Sequence, residues 1–455
     1  MGFGLWALVR RIACILAIVA GPTRADDHAD VARPIAGFRV RAFPGAHTKV
    51  LERTIGYLAH VRVGDPIASR DIPRLERDLI SSDLFERVKV TLEPAPDGIG
   101  VFVVATVDDK LSWIVGPTAY FLSTNKAAGV GFVENDLGGR DQKMILYGQI
   151  GTQQSILFAT FLDPAVHGTK WTYRLDLYGE RREIDEYANP LEDETDQTTA
   201  RATDETFLDA GALVGYTFRW WAVATFRLRG AYVYFRNPRD PNTGATAPSP
   251  EKDGWDVTAQ ARLTLDHRYH RFGVTWGPYL DMLVEPSVPG LDSYGYGNSL
   301  VRAYYSWELF PEQELELRSI NQLGWRLPFH EDNALGGATD LRGYLTDQFR
   351  GDLNVVFRAE YSVPMFQWWM FKFRALGFYD WGYSEFLFPR PATVDGGDRN
   401  YLPGQLDRGY IRDDIGAGFR VYVKSVVLPL LGVDVAYGIQ AKAPEVVFEL
   451  GLTDF

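Results

Sequence analysis

The sequence predicts a transmembrane β-barrel of about sixteen antiparallel strands, preceded by one small α+β domain. Three observations carry that expectation. First, from about residue 111 to Phe455 the chain alternates with a two-residue rhythm. In Trp171-Thr172-Tyr173-Arg174-Leu175-Asp176-Leu177 the apolar Trp171, Tyr173, Leu175 and Leu177 share one face, and Thr172, Arg174 and Asp176 share the other. A strand with an oily side and a charged side, repeated many times, suits a sheet with lipid outside and water inside. Second, mean hydropathy is only -0.16, and after the N-terminus no run approaches the ~18 apolar residues of a membrane helix. Third, connections near 137–140, 220–221, 269–271, 310–311 and 365–367 are tight, whereas those near 183–205, 236–253, 326–352 and 382–408 are long. Every long one is an odd-numbered connection, the pattern of short periplasmic turns and longer extracellular loops.

In chain order, residues 1–25 read as a signal peptide. Arg10 and Arg11 precede the apolar stretch Ile12 to Gly21, and Thr23-Arg24-Ala25 offers small residues for cleavage. Residues 26–35 follow as a linker. Cys14 is the only cysteine, so a processed chain has no disulfide and no thiolate metal site. The net charge of -12 argues against nucleic acid as a partner. The acidic stretch Leu191 to Glu205 reads as a solvated loop.

Residues 36–110 have a different texture. Gly37 to Phe43 is a short strand, and Val50, Leu51, Ile55 and Leu58 fall at helical spacing. A second helix runs from about Ser69, its expected cap, to Ser82. Arg87 to Leu92 and Val101 to Val107 are two more strands. The order β-α-α-β-β, with Val63-Gly64-Asp65-Pro66 before the second helix and Leu84-Phe85-Glu86-Arg87-Val88 after it, resembles the polypeptide-transport-associated (POTRA) domain. Gly64, Pro66, Phe85 and Val88 are its core signature here. The exposed edge of such a three-stranded sheet can accept an extended peptide as another strand.

The barrel, residues 111–455, is expected to use strands at 112–122, 127–136, 141–151, 154–163, 170–182, 206–219, 222–235 and 254–268, then 272–285, 295–309, 312–325, 353–364, 368–381, 409–423, 429–441 and 444–455. Trp220-Trp221 and Trp368-Trp369 fall at predicted periplasmic ends, where an aromatic girdle belongs.

The long connection at 326–352 contains Leu341-Arg342-Gly343-Tyr344, the next strand Phe357-Arg358-Ala359-Glu360-Tyr361-Ser362-Val363-Pro364, and the strand after it Phe378-Tyr379-Asp380-Trp381-Gly382. Together they resemble the inward-folded sixth loop and its two following strands in the BamA superfamily, the bacterial surface-antigen family. By parity Glu360 and Asp380 face the lumen from adjacent strands, where a loop guanidinium suits paired carboxylates. The C-terminus, with Phe448, Leu450, Gly451 and Phe455, resembles the terminal signal for barrel assembly, although Phe455 breaks the parity of Phe448 and Leu450. The resemblance implies an outer-membrane protein that inserts or translocates polypeptides, its POTRA domain in the periplasm. Its partners would be outer-membrane lipid, extended client polypeptides and periplasmic accessory proteins. The alternative is a non-transporting barrel serving as channel, lipid-handling element or anchor for a periplasmic partner. Family branches carry five, three or two POTRA domains, and this chain has room for one. With neither a Gly-x-Ser-x-Gly elbow nor a His-Glu-x-x-His pair, no enzyme activity, cofactor or metal site is expected.

Overall fold

A computed structural model of the chain describes residues 31–96, 98–187, 199–271, 274–369, 371–388, 400–402, 409–423 and 429–450. The expected signal peptide, and Gly451 and Phe455 of the terminal signal, lie outside the described residues.

The N-terminal domain comprises β1 (Arg33–Ala42), α1 (Glu52–Leu58), α2 (Ile72–Ser81), β2 (Phe85–Pro94) and β3 (Val101–Asp109). Central β3 runs parallel to β1 and antiparallel to β2. Its residues Val103, Ala105 and Val107 join Ile55 of α1 and Leu75 and Leu79 of α2 in one core. Three expectations need correction. The domain begins inside the expected linker, because Ile35 is buried in this core; Pro34 looks like a linker residue, yet proline is tolerated where a strand starts. The sheet has four strands, since Pro66–Ile67 pairs with the start of β1. Ser69 does not cap the second helix; the Asp71 carboxylate accepts the Ala68 amide at 2.9 Å instead. Gly64 turns the chain at φ +92 just before Pro66, Phe85 lies in the core, and Val88 packs against it.

The barrel strands are β4 (Trp113–Phe121), β5 (Lys126–Leu137), β6 (Gln142–Gly151), β7 (Gln154–Asp163), β8 (Trp171–Tyr187), β9 (Thr199–Arg219), β10 (Ala222–Arg239) and β11 (Gly254–Asp266). After the three-residue strand Tyr269–Arg271 come β12 (Val274–Pro286), β13 (Gly297–Phe310), β14 (Gln313–Trp325), β15 (Leu353–Trp368), β16 (Phe371–Glu385), β17 (Tyr410–Val423), β18 (Pro429–Gly438) and β19 (Ala443–Leu450). Antiparallel pairing closes the sixteen into a cylinder. The last strand meets the first through Phe448↔Phe121, Glu449↔Tyr120 and Leu450↔Ala119.

Alternation decides which side chains meet which solvent. Leu157, Leu177 and Leu208 point outward and stay more than half exposed, while Asp176, Asp281, Asp380 and Asp414 point inward and are buried. The charge ladders correct one expectation. Residues 199–205 of the acidic stretch are strand rather than solvated loop. Glu205 pairs with Arg182 at 3.3 Å, and Arg201 Nη2 donates to Glu186 at 2.8 Å. Charges buried in the lumen are tolerated because each finds a partner. Trp368 ends β15 instead of opening the following strand, and Trp369 turns the corner at φ +52.

The domain is docked on the turn-bearing end of the barrel. Leu51 N and Thr54 Oγ1 both donate to Gly139 O, at 2.9 and 2.8 Å. A Cβ at Gly139 would lie 1.9 Å from Lys49 O, so this approach requires glycine. His60 stacks on Trp220 with ring centroids 4.9 Å apart, so one of the tryptophans expected in the girdle is shared with the domain.

Candidate functional site

The connection 326–352 folds into the lumen rather than out into solvent. Asn333–Leu335 and Phe349–Gly351 pair as a short hairpin across its base, and Leu341, Arg342 and Tyr344 at its tip are buried. Arg342 Nε donates to Asp380 Oδ2 at 2.7 Å and Nη2 to Asp380 Oδ1 at 3.0 Å. This is the two-pronged geometry that a planar guanidinium offers a carboxylate. Arg342 Nη1 reaches Glu360 Oε2 at 3.1 Å and Asp434 Oδ2 at 3.2 Å.

Each lumen-facing residue of Phe378-x-Asp380-x-Gly382 has a distinct task. The Phe378 ring lies 3.3 Å below the Arg342 guanidinium carbon, a cation–π contact. Asp380 takes the fork. Gly382 leaves room for Leu341, whose Cδ1 would sit 3.0 Å from an added Cβ. Gly343 N donates to Asp414 at 2.9 Å. A Cβ on Gly343 would lie 2.6 Å from Gly438 N, so only glycine fits between β17 and β18. Tyr344 donates from its hydroxyl to Asp413 O at 3.0 Å.

Sequence reasoning missed three members of this cluster and gave a fourth, Arg358, a place in the strand motif but no part in the lock. Asp434 and Asp414 were not singled out, although Val433-Asp434-Val435 carries the alternation that aims a carboxylate inward. Arg358 also bonds Asp380, at 3.2 Å, and Arg420 grips Asp434 at 2.5 and 2.8 Å. Arg358 and Arg420 stand on strands adjacent to the carboxylates they hold, but Asp414 and Asp434 lie 71 and 92 residues from the loop residues they meet, so no local pattern joins them to it.

A second cluster was missed entirely. At the start of the same loop, Phe329 and His330 pack among Phe207 and Phe235. His330 Nε2 lies 3.3 Å from Asp256 Oδ2. Arg229 Nη2 donates to Asp256 Oδ2 at 2.6 Å, to Glu331 Oε1 at 2.9 Å and to the Tyr296 hydroxyl at 3.0 Å. Asp256, His330 and Glu331 each bring a ligand atom within 4.8 Å of the others, a set that suits a divalent cation. The Arg229 guanidinium already supplies the positive charge there.

A closed sixteen-strand barrel with its longest loop locked inside is the architecture of a particular class of membrane protein. Residues 136–444 match the Omp85 superfamily domain, and the chain belongs to that superfamily. It is therefore a bacterial outer-membrane protein of the BamA/TamA type. Three solved structures share the fold. BamA from Haemophilus ducreyi lacking POTRA domains 1-3 is 13% identical, with a TM-score of 0.54 over 91% of this chain and 84% of that one. CdiB from Escherichia coli is 12% identical, with a TM-score of 0.61 over 91% and 76%. CdiB from Acinetobacter baumannii is 12% identical, with a TM-score of 0.57 over 92% and 74%. No curated protein matches the sequence.

Proposed function

We propose that this protein assists the insertion or translocation of polypeptides at the outer membrane, its N-terminal domain acting in the periplasm as a POTRA domain. The observation that carries the reading is the Arg342 lock, in which one loop residue ties Glu360, Asp380 and Asp434 on three strands. Such a lock gives the barrel a fixed interior against which a client can be handled at the wall. Strand addition at the domain has a physical basis. Pro66–Ile67 covers the start of β1, whereas β2 is the outermost strand on the other side, and an uncovered edge offers unpaired amides and carbonyls to an extended chain. Glu76 takes the Val90 amide at 2.9 Å, which confines addition to the rest of that edge. Periplasmic accessory proteins are partners of the same surface.

The second reading, a non-transporting barrel serving as channel, lipid-handling element or anchor, draws support from the domain being held to the turns by Gly139 and Trp220. Depletion of the protein followed by quantification of other outer-membrane barrels separates the two. Falling barrel levels favour the first reading, and unchanged levels overturn it. A photo-crosslinker at Thr91 of β2 then tests the edge: crosslinks to unfolded chains are expected there, and their absence removes strand addition.

A further inference from the structure

Two cavities on the outside of β5 to β10 line up along the same strands. The first, about 190 Å³, lies where α1 meets the barrel turns and is lined by Arg53, Tyr57, Arg140, Asp163, His167 and Tyr173 among others. Arg53, Arg140 and His167 are all exposed around it. Its carboxylate, Asp163, is buried and already accepts bonds from Gln142 Nε2 at 2.6 Å and Ala165 N at 3.1 Å. The rim is therefore basic.

The second cavity is about 700 Å³ and almost wholly apolar, ringed by outward-pointing Leu146, Leu157, Leu177 and Leu208. Its floor is made where side chains are missing. Gly148 pairs with Leu157, Leu157 with Gly179, and Gly179 with Leu208. A Cβ added at Gly230 meets nothing within 4 Å, and one at Gly148 meets only Leu157 Cδ1 at 3.9 Å. The crater is a hollow in the lipid-facing wall, not a tightly packed seam.

Spacing ties the two together. On β7 the cleft reaches Asp163 and the crater Leu157 to Ala159; on β8 the cleft reaches Tyr173 and the crater Leu177 to Gly179. Four to six residues at ~3.3 Å each give ~13–20 Å along a strand. At a tilt of ~35–45° this is ~10–15 Å toward the bilayer centre, close to half of the ~30 Å hydrocarbon core. Between them the outward face carries Phe161 paired with Leu175, with Phe161 also against the Tyr173 ring at 5.7 Å. A basic cleft at headgroup level, an apolar track and a hollow at mid-bilayer match the profile of one amphiphile.

We propose that this face holds a single glycerophospholipid from the leaflet on the domain's side, its phosphate between Arg53 and Arg140 and one acyl chain in the glycine-floored crater. The lipid would join α1 to the barrel wall, since Arg53 belongs to the helix and Arg140 to a barrel turn.

The test uses the purified full-length protein, delipidated in detergent, with palmitoyl-oleoyl phosphatidylglycerol or its dihexanoyl counterpart titrated back and followed by native mass spectrometry. Heat-modifiable migration on gels checks that each variant is folded. One long-chain lipid per chain is expected to be retained. Arg53→Glu with Arg140→Glu should weaken retention of both lipids by about tenfold or more, as charge-assisted bonds to phosphate are lost. Gly148→Leu with Gly230→Leu, whose added Cβ atoms meet no backbone within 4 Å, places side chains in the crater and should weaken only the long-chain lipid. Equal retention by wild type and both variants means ordinary annular lipid and overturns the proposal. Long-chain binding that ignores the glycine substitutions means a free phosphate site, and overturns it too.

Discussion

Among the contacts that hold the long loop in the lumen, the charge clusters at its tip and at its start are built with opposite polarity. At the tip the cation belongs to the loop: Arg342 reaches Glu360, Asp380 and Asp434 on the wall. At the start the cation belongs to the wall: Arg229 reaches Glu331 on the loop and Asp256 and Glu285 beside it. They also differ in reserve. Asp380 keeps Arg358, and Asp434 keeps Arg420, if Arg342 is removed. In the Arg229 cluster three carboxylates share one guanidinium, with His330 beside Asp256. The tip is the conspicuous site; at the start Arg182 reaches only the His330 carbonyl, and among the described residues Asp256, Glu285 and Glu331 meet no arginine besides Arg229.

Reversing charge at the tip should give the largest effect. Arg342→Glu places a further carboxylate against Asp380, which is fully buried, and an uncompensated buried charge costs several kcal/mol. Folded, heat-modifiable barrel in outer membranes should fall steeply, and adding Glu360→Arg should partly restore it. Normal assembly of the single variant would end the view that this contact holds the loop. Truncation then ranks the two anchors. Arg229→Ala should destabilise by about 3–5 kcal/mol, the range for breaking a buried pair. Arg342→Ala should lose about 2–3 kcal/mol, because second arginines remain. Urea unfolding in lipid vesicles reads both, and a larger loss for Arg342→Ala would refute the argument from reserve.

The two anchors were not equally legible. Barrel class, strand number and inward parity follow from alternation, because a period of two fixes which side chains meet lipid. Glu360 and Asp380 could be placed opposite Arg342 because they lie on the two strands that follow its loop. Asp434 lies 92 residues from Arg342, and Asp256 lies 74 from His330; only the inward fold of the loop against a curved wall brings them near. Residues 199–205 misled for a related reason. Dense acid looks solvated in a sequence, while in this lumen Glu205 meets Arg182 and is buried. The docking of α1 on Gly139 had no signal beyond a glycine in an expected turn.

The smallest predicted effects have opposite signs and therefore test the comparison most finely. Glu331→Gln keeps an oxygen for Arg229 Nη2 and removes one of three negative charges around a single guanidinium. Loss of the ion pair and relief of repulsion from Asp256 and Glu285 should nearly cancel, leaving stability within about 0.5 kcal/mol of wild type. Glu360→Gln also keeps an oxygen, for Arg342 Nη1. Here, however, the arginines Arg342, Arg358 and Arg420 stand against Glu360, Asp380, Asp434 and Asp414, so the excess of acid per guanidinium is far smaller and little repulsion is relieved. A charged hydrogen bond becomes a neutral one, and a loss of about 1–2 kcal/mol is expected. Equal losses at both positions in vesicle unfolding would mean that the local balance of charge does not distinguish the two anchors. Near-neutral Glu331→Gln beside a destabilised Glu360→Gln would mean that the loop is clamped where cations are plentiful and merely balanced where they are scarce.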